Sequence, residues 1–322
     1  MLILAAIAVV AFCVLAPFGP STGVFVEIPA GTPTRQIASL LKRSGVIRSE
    51  IVFDAMHAVK GGTLKAGDYR FDHPAKMNDV YERLRRGDVY TVSVTVPEGS
   101  NLFDIAQRVQ GAGLGTKDAF LAAARANVNL IADVDPQAVS LEGYLFPDTY
   151  RFAHDTTALQ MQQAMVKQFR QVAEELGLHG DEHRVVTMAS LVERETPIAS
   201  ERPLVASVFV NRLAKGIPLM TDPSVIYAAL LEGRYRGTIY ASDLQADSPY
   251  NTYKHAGLPP GPICSPGVDS LRAAMNPAHT NYLYFVAASA SASGTSRFSA
   301  TLEEHARDVA AYRKAAREAG SR

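Results

Sequence analysis

Hydrophobic and polar positions change period several times along this chain, and each change marks an element. The first nineteen residues, MLILAAIAVVAFCVLAPFG, include no charged side chain. Such a run sits near the lower limit of a membrane-spanning helix, which needs about 17–25 residues. Residues 1–19 therefore read as an uncleaved transmembrane anchor. A cleaved signal peptide would need a basic flank and about 7–15 apolar residues, and Pro17 suits no cleavage site. Bulky Phe12 likewise spoils a lipobox at Cys13. No basic residue precedes the run, so charge bias gives no orientation; a start codon placed too far downstream would explain its absence. A buried core helix is the third reading, disfavoured because no polar residue is there to face water.

A repeat follows. VEIPAGTPTRQIASLLKRSGV (26 to 46) aligns without gaps on VTVPEGSNLFDIAQRVQGAGL (94 to 114). Each copy reads as a short alternating strand, a Pro-x-Gly turn, an amphipathic helix and a glycine stop. Thr34 and Ser100 are the expected N-caps. Between the copies, LKAGDYRF and YTVSVTV read as strands around a helix at MNDVYERLRRG. Further on, the apolar spacing predicts helices from Thr157 to Leu176, from Asp181–Glu182 to before Pro197, and over ERPLVASVFVNRLAKG. NYLYFVAAS predicts a strand, and a last helix starts at Thr301. ASASASGTS (288 to 296) reads as a flexible hairpin tip.

The helix HRVVTMASLVERET ends in two carboxylates. At 100° per residue, Val185, Val186, Met188, Ala189, Leu191 and Val192 set its apolar side, and Glu193 and Glu195 fall at opposite edges, about 200° apart. They cannot form the paired carboxyls of a retaining glycosidase, which lie about 5–5.5 Å apart. At most one faces any given cleft. A carboxylate at an apolar edge is partly desolvated, which favours its protonated form. It is also the ordinary position for a structural glutamate paired with Arg194 or Arg202. Spacing alone does not choose between Glu193 and Glu195.

Composition narrows the chemistry. The 322 residues are 47% hydrophobic and 20% charged, a globular balance with room for two domains. Thirty-two basic residues match thirty-two acidic ones, leaving no cation excess for a nucleic-acid partner. Cys13 and Cys264 are too few for a disulfide framework or a zinc site. His179 and His183 have i, i+4 spacing, but no HExxH is present, and no P-loop or nucleophile elbow occurs. No cofactor and no metal is expected.

The blocks LEGYLFPDTY, MASLVERET, SERPLVASVFVNRLAKGIPLMTDPSVIY, YNTYKHAGLPPGPICSPG, and YLYFVA followed by FSATLEEH resemble, in order, those of the YceG-like family of endolytic murein transglycosylases. The resemblance implies a single-pass inner-membrane protein facing the periplasm. It implies a lytic transglycosylase, a carbon–oxygen lyase that cuts the MurNAc–GlcNAc β-1,4 bond within nascent glycan strands. The product carries a 1,6-anhydro-MurNAc end, and strand elongation stops. The resemblance places the catalytic glutamate at Glu193, with Glu195 as a structural partner. Glu142, Asn211, Asp222, Tyr227, Asn251, Thr252 and Tyr253 become candidates for holding sugar, since they offer donors and acceptors. Each is equally well a brace or turn residue. Partners implied are peptidoglycan strands, the membrane and peptidoglycan synthases. Cys264 stands where a small or polar residue is expected, and without tryptophan sugar stacking falls to Tyr or Phe.

The expected fold class is α+β: a transmembrane helix (1–19), a LysM-like α/β region (24–134) with repeats at about 26–56 and 94–124, and a mixed α+β catalytic domain (135–318). The LysM-like region either binds glycan or spaces the active site from the membrane. Two rival functions stay open. One is a non-catalytic peptidoglycan-binding scaffold. The other is a water-using muramidase with Glu142 or Asp222 as its second carboxylate.

Overall fold

A computed structural model describes residues 2–288 and 294–320. Its contacts divide the chain into Met1–Ser93 with Arg151–Thr156, and Val94–Tyr150 with Thr157–Arg322. The class is mixed α+β, with small two-stranded sheets among helices. The division falls at Val94, so the second repeat lies in the same unit as the C-terminal residues.

The first unit begins with helix α1 (Leu2–Leu15). Strand β1 (Val24–Ile28) and helices α2 (Thr34–Arg43) and α3 (Glu50–Lys60) follow, then β2 (Gly67–Phe71) and α4 (Met77–Arg86). β1 and β2 pair antiparallel, with Val26 opposite Tyr69. The alternating Val26 and Ile28 and the helical faces of Ile37, Leu41, Phe53, Tyr81 and Leu84 close one core. Each such side chain contributes about 1.5–3 kcal/mol on burial. At 14 residues, α1 spans about 21 Å, less than the roughly 30 Å hydrocarbon layer. Among the described residues no helix is long and apolar enough to cross a membrane. Arg48 holds the end of α1: its guanidinium lies 4.6 Å from the Phe12 and Phe18 rings and donates to the Ala16 carbonyl.

The chain changes unit within the β3 (Thr91–Thr95) and β4 (Thr149–Ala153) pair. Between these strands lie α5 (Leu102–Gly111) and α6 (Lys117–Ala126); beyond them come α7 (Ala158–Leu176), α8 (Glu182–Glu195), α9 (Arg202–Ala214), α10 (Asp222–Leu231), the short α11 (Ala241–Leu244) and α12 (Val268–Met275). An antiparallel hairpin, β5 (Tyr284–Ala287) with β6 (Ser296–Ser299), and α13 (Leu302–Gly320) complete the second unit. The expected hairpin pairing is present, but most of its tip, 289–293, lies outside the described residues. α8 packs against α9, α10 and α12, around Met188, Leu191, Val192, Phe209, Leu219 and Ile263.

The glycines that the two aligned segments share have matching backbone torsions. Gly31 and Gly99 turn at φ 78° and 75°, and Gly45 and Gly113 at 69° and 74°, a region that favours glycine. The segments' helix caps are not those expected. Pro33 precedes α2 with no side-chain cap, making Thr34 the first helical residue. Asn101, not Ser100, caps α5, in a reciprocal box with Asp104; Ser100 instead donates to the Pro97 carbonyl. Proline already sets the helix-entry dihedral, and asparagine reaches the third amide as well as serine does. Gly143, at φ 86°, has no room for a side chain: a Cβ would lie 2.6 Å from Pro262 Cγ and 3.0 Å from Val186 Cγ1. Gly143→Ala is expected to destabilise the chain by about 3 kcal/mol, measured by denaturant unfolding.

Candidate active site

α8 delivers its two terminal glutamates to different surroundings, as the helical spacing requires. Glu193 is enclosed, with only 5% of its side chain exposed. One oxygen accepts from Arg202 Nη2 at 3.0 Å and the other from the Gly267 amide at 2.9 Å, at the start of α12. Arg202 is equally buried and also lies 3.6 Å from Glu98 Oε2. Arg194 turns away, donating to the Gly99 carbonyl.

Glu98 is the residue that sequence reasoning missed. It occupies the second repeat's Pro-x-Gly turn, where the first repeat has Ala30. Burial, then the nearby Glu193 charge, pushes its proton affinity up. A side chain at Gly267 would collide with its carboxylate, and the turn is sewn in by Gly99 N–H to the Ser265 carbonyl and Ser265 N–H to the Ser100 carbonyl. The Ala30/Glu98 contrast within an otherwise matched turn was the available signal.

Glu195 is half-buried and opens on a cavity of about 230 Å³ whose walls include Phe209, Arg212, Asp222, Tyr253 and Phe285. Among the described residues no hydrogen bond or ion pair engages its carboxylate. Burial, reinforced by the Asp222 charge and partly offset by Arg212, raises its pKa to about 7. Arg212 is fixed by donating to the Leu283 and Leu219 carbonyls at 2.7 and 2.8 Å, and its guanidinium lies 5.3 Å from the Tyr284 ring centre. Tyr253 donates to Asp222 at 2.6 Å.

Of the residues proposed to hold sugar, the structure brings Asp222 and Tyr253 to Glu195. The others are engaged within the fold. Asn211 donates to the Thr280 and Tyr282 carbonyls. Buried Asn251 donates to the Leu244 and Ala246 carbonyls and accepts the Tyr253 amide. Thr252 accepts from the Thr221 amide at 2.9 Å. Tyr227 is buried against Glu142 and Tyr250. Cys264 is buried, its thiol donating to the Ser190 carbonyl.

Glu142 is enclosed, both oxygens accepting from the Leu102 amide that opens α5. Burial outweighs these bonds and lifts its pKa from 4.5 to about 8. The folded chain therefore holds a proton that the unfolded chain releases near pH 4.5. Its stabilising contribution is complete below that pH and is lost as pH rises through about 8. The melting temperature is expected to fall over this window, and Glu142→Gln to flatten the fall; the slope left over comes from Glu195 and Glu98, whose raised proton affinities have the same sign.

The sequence profile of the YceG-like family matches residues 26–311. A protein of Bacillus subtilis (strain 168) named endolytic murein transglycosylase is 37% identical over 305 residues, which cover 88% of this chain and 83% of that one. One of the same name from Streptococcus pneumoniae serotype 2 is 32% identical over 328 residues, 90% of this chain and 58% of that relative. A crystal structure of a yceG-like protein from Listeria monocytogenes superposes with a TM-score of 0.58 at 34% identity, covering 89% of this chain and 99% of that one. With most of its length matched by the family profile and by relatives more than 30% identical, the chain belongs to the YceG-like family.

Proposed function

We propose that the chain is an endolytic murein transglycosylase in which Glu195, rather than Glu193, moves the proton. The observation behind this choice is the state of the two carboxylates. Glu193 has both oxygens committed to Arg202 and Gly267, whereas among the described residues no hydrogen bond or ion pair engages either oxygen of Glu195, which adjoins a cavity. A carboxyl with a pKa of about 7 is partly protonated near neutrality and can both give and take a proton. The Glu195 carboxyl gives its proton to the glycosidic oxygen as the C1–O bond breaks. The resulting carboxylate then removes the C6 hydroxyl proton while that oxygen bonds to C1, closing the 1,6-anhydro ring. One carboxyl suffices because the nucleophile is tethered to the substrate, and proximity supplies much of the rate.

On the same reading, 1–19 tethers the chain to the inner membrane, supported by its uncharged apolar composition, with the catalytic part in the periplasm. The LysM-like region, 24–134, meets or spaces the nascent glycan beside the synthases that make it, and 135–318 cuts the strand. Asp222 in the Glu195 cavity favours a second reading, a muramidase whose second carboxylate activates water. Mass spectrometry of digested murein separates the two. Anhydro-ended fragments of intermediate length, present from the earliest times, support endolytic transglycosylation. Reducing ends support the muramidase, and no product despite sedimentation with murein supports a binding scaffold.

A further inference from the structure

Four chain segments converge on Glu195, and two of them bring fixed charges of opposite sign. Resting on the reading of Glu195 as the proton carrier, we propose that Asp222 and Arg212 are positioning residues acting through it: Asp222 keeps the proton on Glu195 before cleavage, and Arg212 holds the Glu195 carboxylate after the proton leaves. Both side chains line the Glu195 cavity.

Asp222 is held in place. Tyr253 donates to one of its oxygens at 2.6 Å, and the segments bearing these two residues are zipped together just beside that bond. The Met220 amide donates to the Thr252 carbonyl at 3.1 Å and the Thr221 amide to the Thr252 hydroxyl at 2.9 Å. Met220 adopts φ 51°, the positive-φ non-glycine residue of the described chain. Such a conformation persists only where the surroundings enforce it, and it gathers at functional sites. The zip therefore sets Asp222 as well as closing a turn. Asn251, accepting the Tyr253 amide, braces the other side.

Arg212 is held as firmly. Nε and Nη1 are on carbonyl oxygens and its face is over Tyr284, and among the described residues it forms no closed ion pair with Glu195. Behind it the His305 ring stacks on Tyr284 at 5.1 Å, and burial followed by the Arg212 charge lowers that histidine's proton affinity. Among the described residues, Asp222 from α10, Arg212 from α9 and the Tyr253 phenol are thus the charged and titratable groups facing Glu195, with Tyr284 and His305 facing Arg212. The last carbonyls of α8 add a partial negative charge beside Glu195, in the same direction as Asp222.

During turnover neither positioning residue gains or loses an atom. The proton passes from Glu195 to the glycosidic oxygen and returns from the C6 hydroxyl. A nearby like charge favours the neutral acid and a nearby cation favours the carboxylate, so the two groups weight opposite halves of the cycle. An aspartate opening a helix would also be placed for the helix dipole alone, and that role leaves no trace in a pH profile.

The test is the pH dependence of kcat/KM on purified murein with the full-length chain, each variant first shown to melt cooperatively. The parent rate is expected to fall as pH rises through the Glu195 pKa. Asp222→Asn is expected to move that limb down by about one unit, and Asp222→Glu, which keeps the charge, to leave it near the parent's. Arg212→Gln is expected to move it up. An Asp222→Asn limb that coincides with the parent's would overturn the proposal, as would loss of all activity in Asp222→Asn together with reducing-end products from the parent. Glu195→Gln with parental activity would instead overturn the reading on which the proposal rests.

Discussion

Glu195→Gln is expected to lower murein cleavage by about 10²–10⁴-fold while leaving the fold intact. The amide keeps the shape of the side chain but can neither give up nor take the proton that the reaction moves. No structural bond is lost, because among the described residues none engages the Glu195 carboxylate. The measurement is product release from murein set beside thermal unfolding of the same sample. A variant that melts like the parent and cleaves at the parental rate would remove Glu195 from the chemistry.

The reverse pattern is expected two residues earlier. Glu193→Gln removes the charge that faces Arg202 at 3.0 Å in a pair whose side chains are 5% and 7% exposed. Breaking a buried ion pair by removing one partner leaves an uncompensated charge, at a cost of about 3 kcal/mol. Glu98, at 3.6 Å from Arg202 and half exposed, compensates only in part. The variant is expected to unfold at lower denaturant and, where folded, to retain cleavage. Full stability with lost cleavage would return the proton-carrying role to Glu193.

The two variants also show where sequence reasoning stopped. The helical period of α8 gave Glu193 and Glu195 different surroundings, which holds; its apolar face holds only in part, since Thr187 and Ser190 are buried with it and Val185 is half-buried. It could not say which edge meets a cation. That depends on Arg202 in the next helix and on the Gly267 amide far along the chain, and the resemblance placed the acid at Glu193. The aligned segments were legible from their shared prolines and glycines, and those glycines have matching backbone torsions. Glu98 was overlooked because its importance comes from a long-range contact with Arg202, not from local pattern. Asn211, Asn251 and Thr252 had suitable chemistry for sugar, but their polar atoms serve backbone groups of turns that no period predicts. Asp222 and Tyr253 were recognisable by type; their pairing and the strained Met220 beside them were not.

The central claim is that the proton moves through one side chain and the attacking oxygen comes from the substrate. Digestion of murein by the full-length chain in heavy-oxygen water, followed by mass spectrometry of the new ends, tests it most directly. Anhydro ends with no heavy oxygen are expected from the parent, and no new ends above background from Glu195→Gln. Heavy oxygen at C1 of new reducing ends would contradict the claim, making water the nucleophile and Asp222 the second catalytic carboxylate.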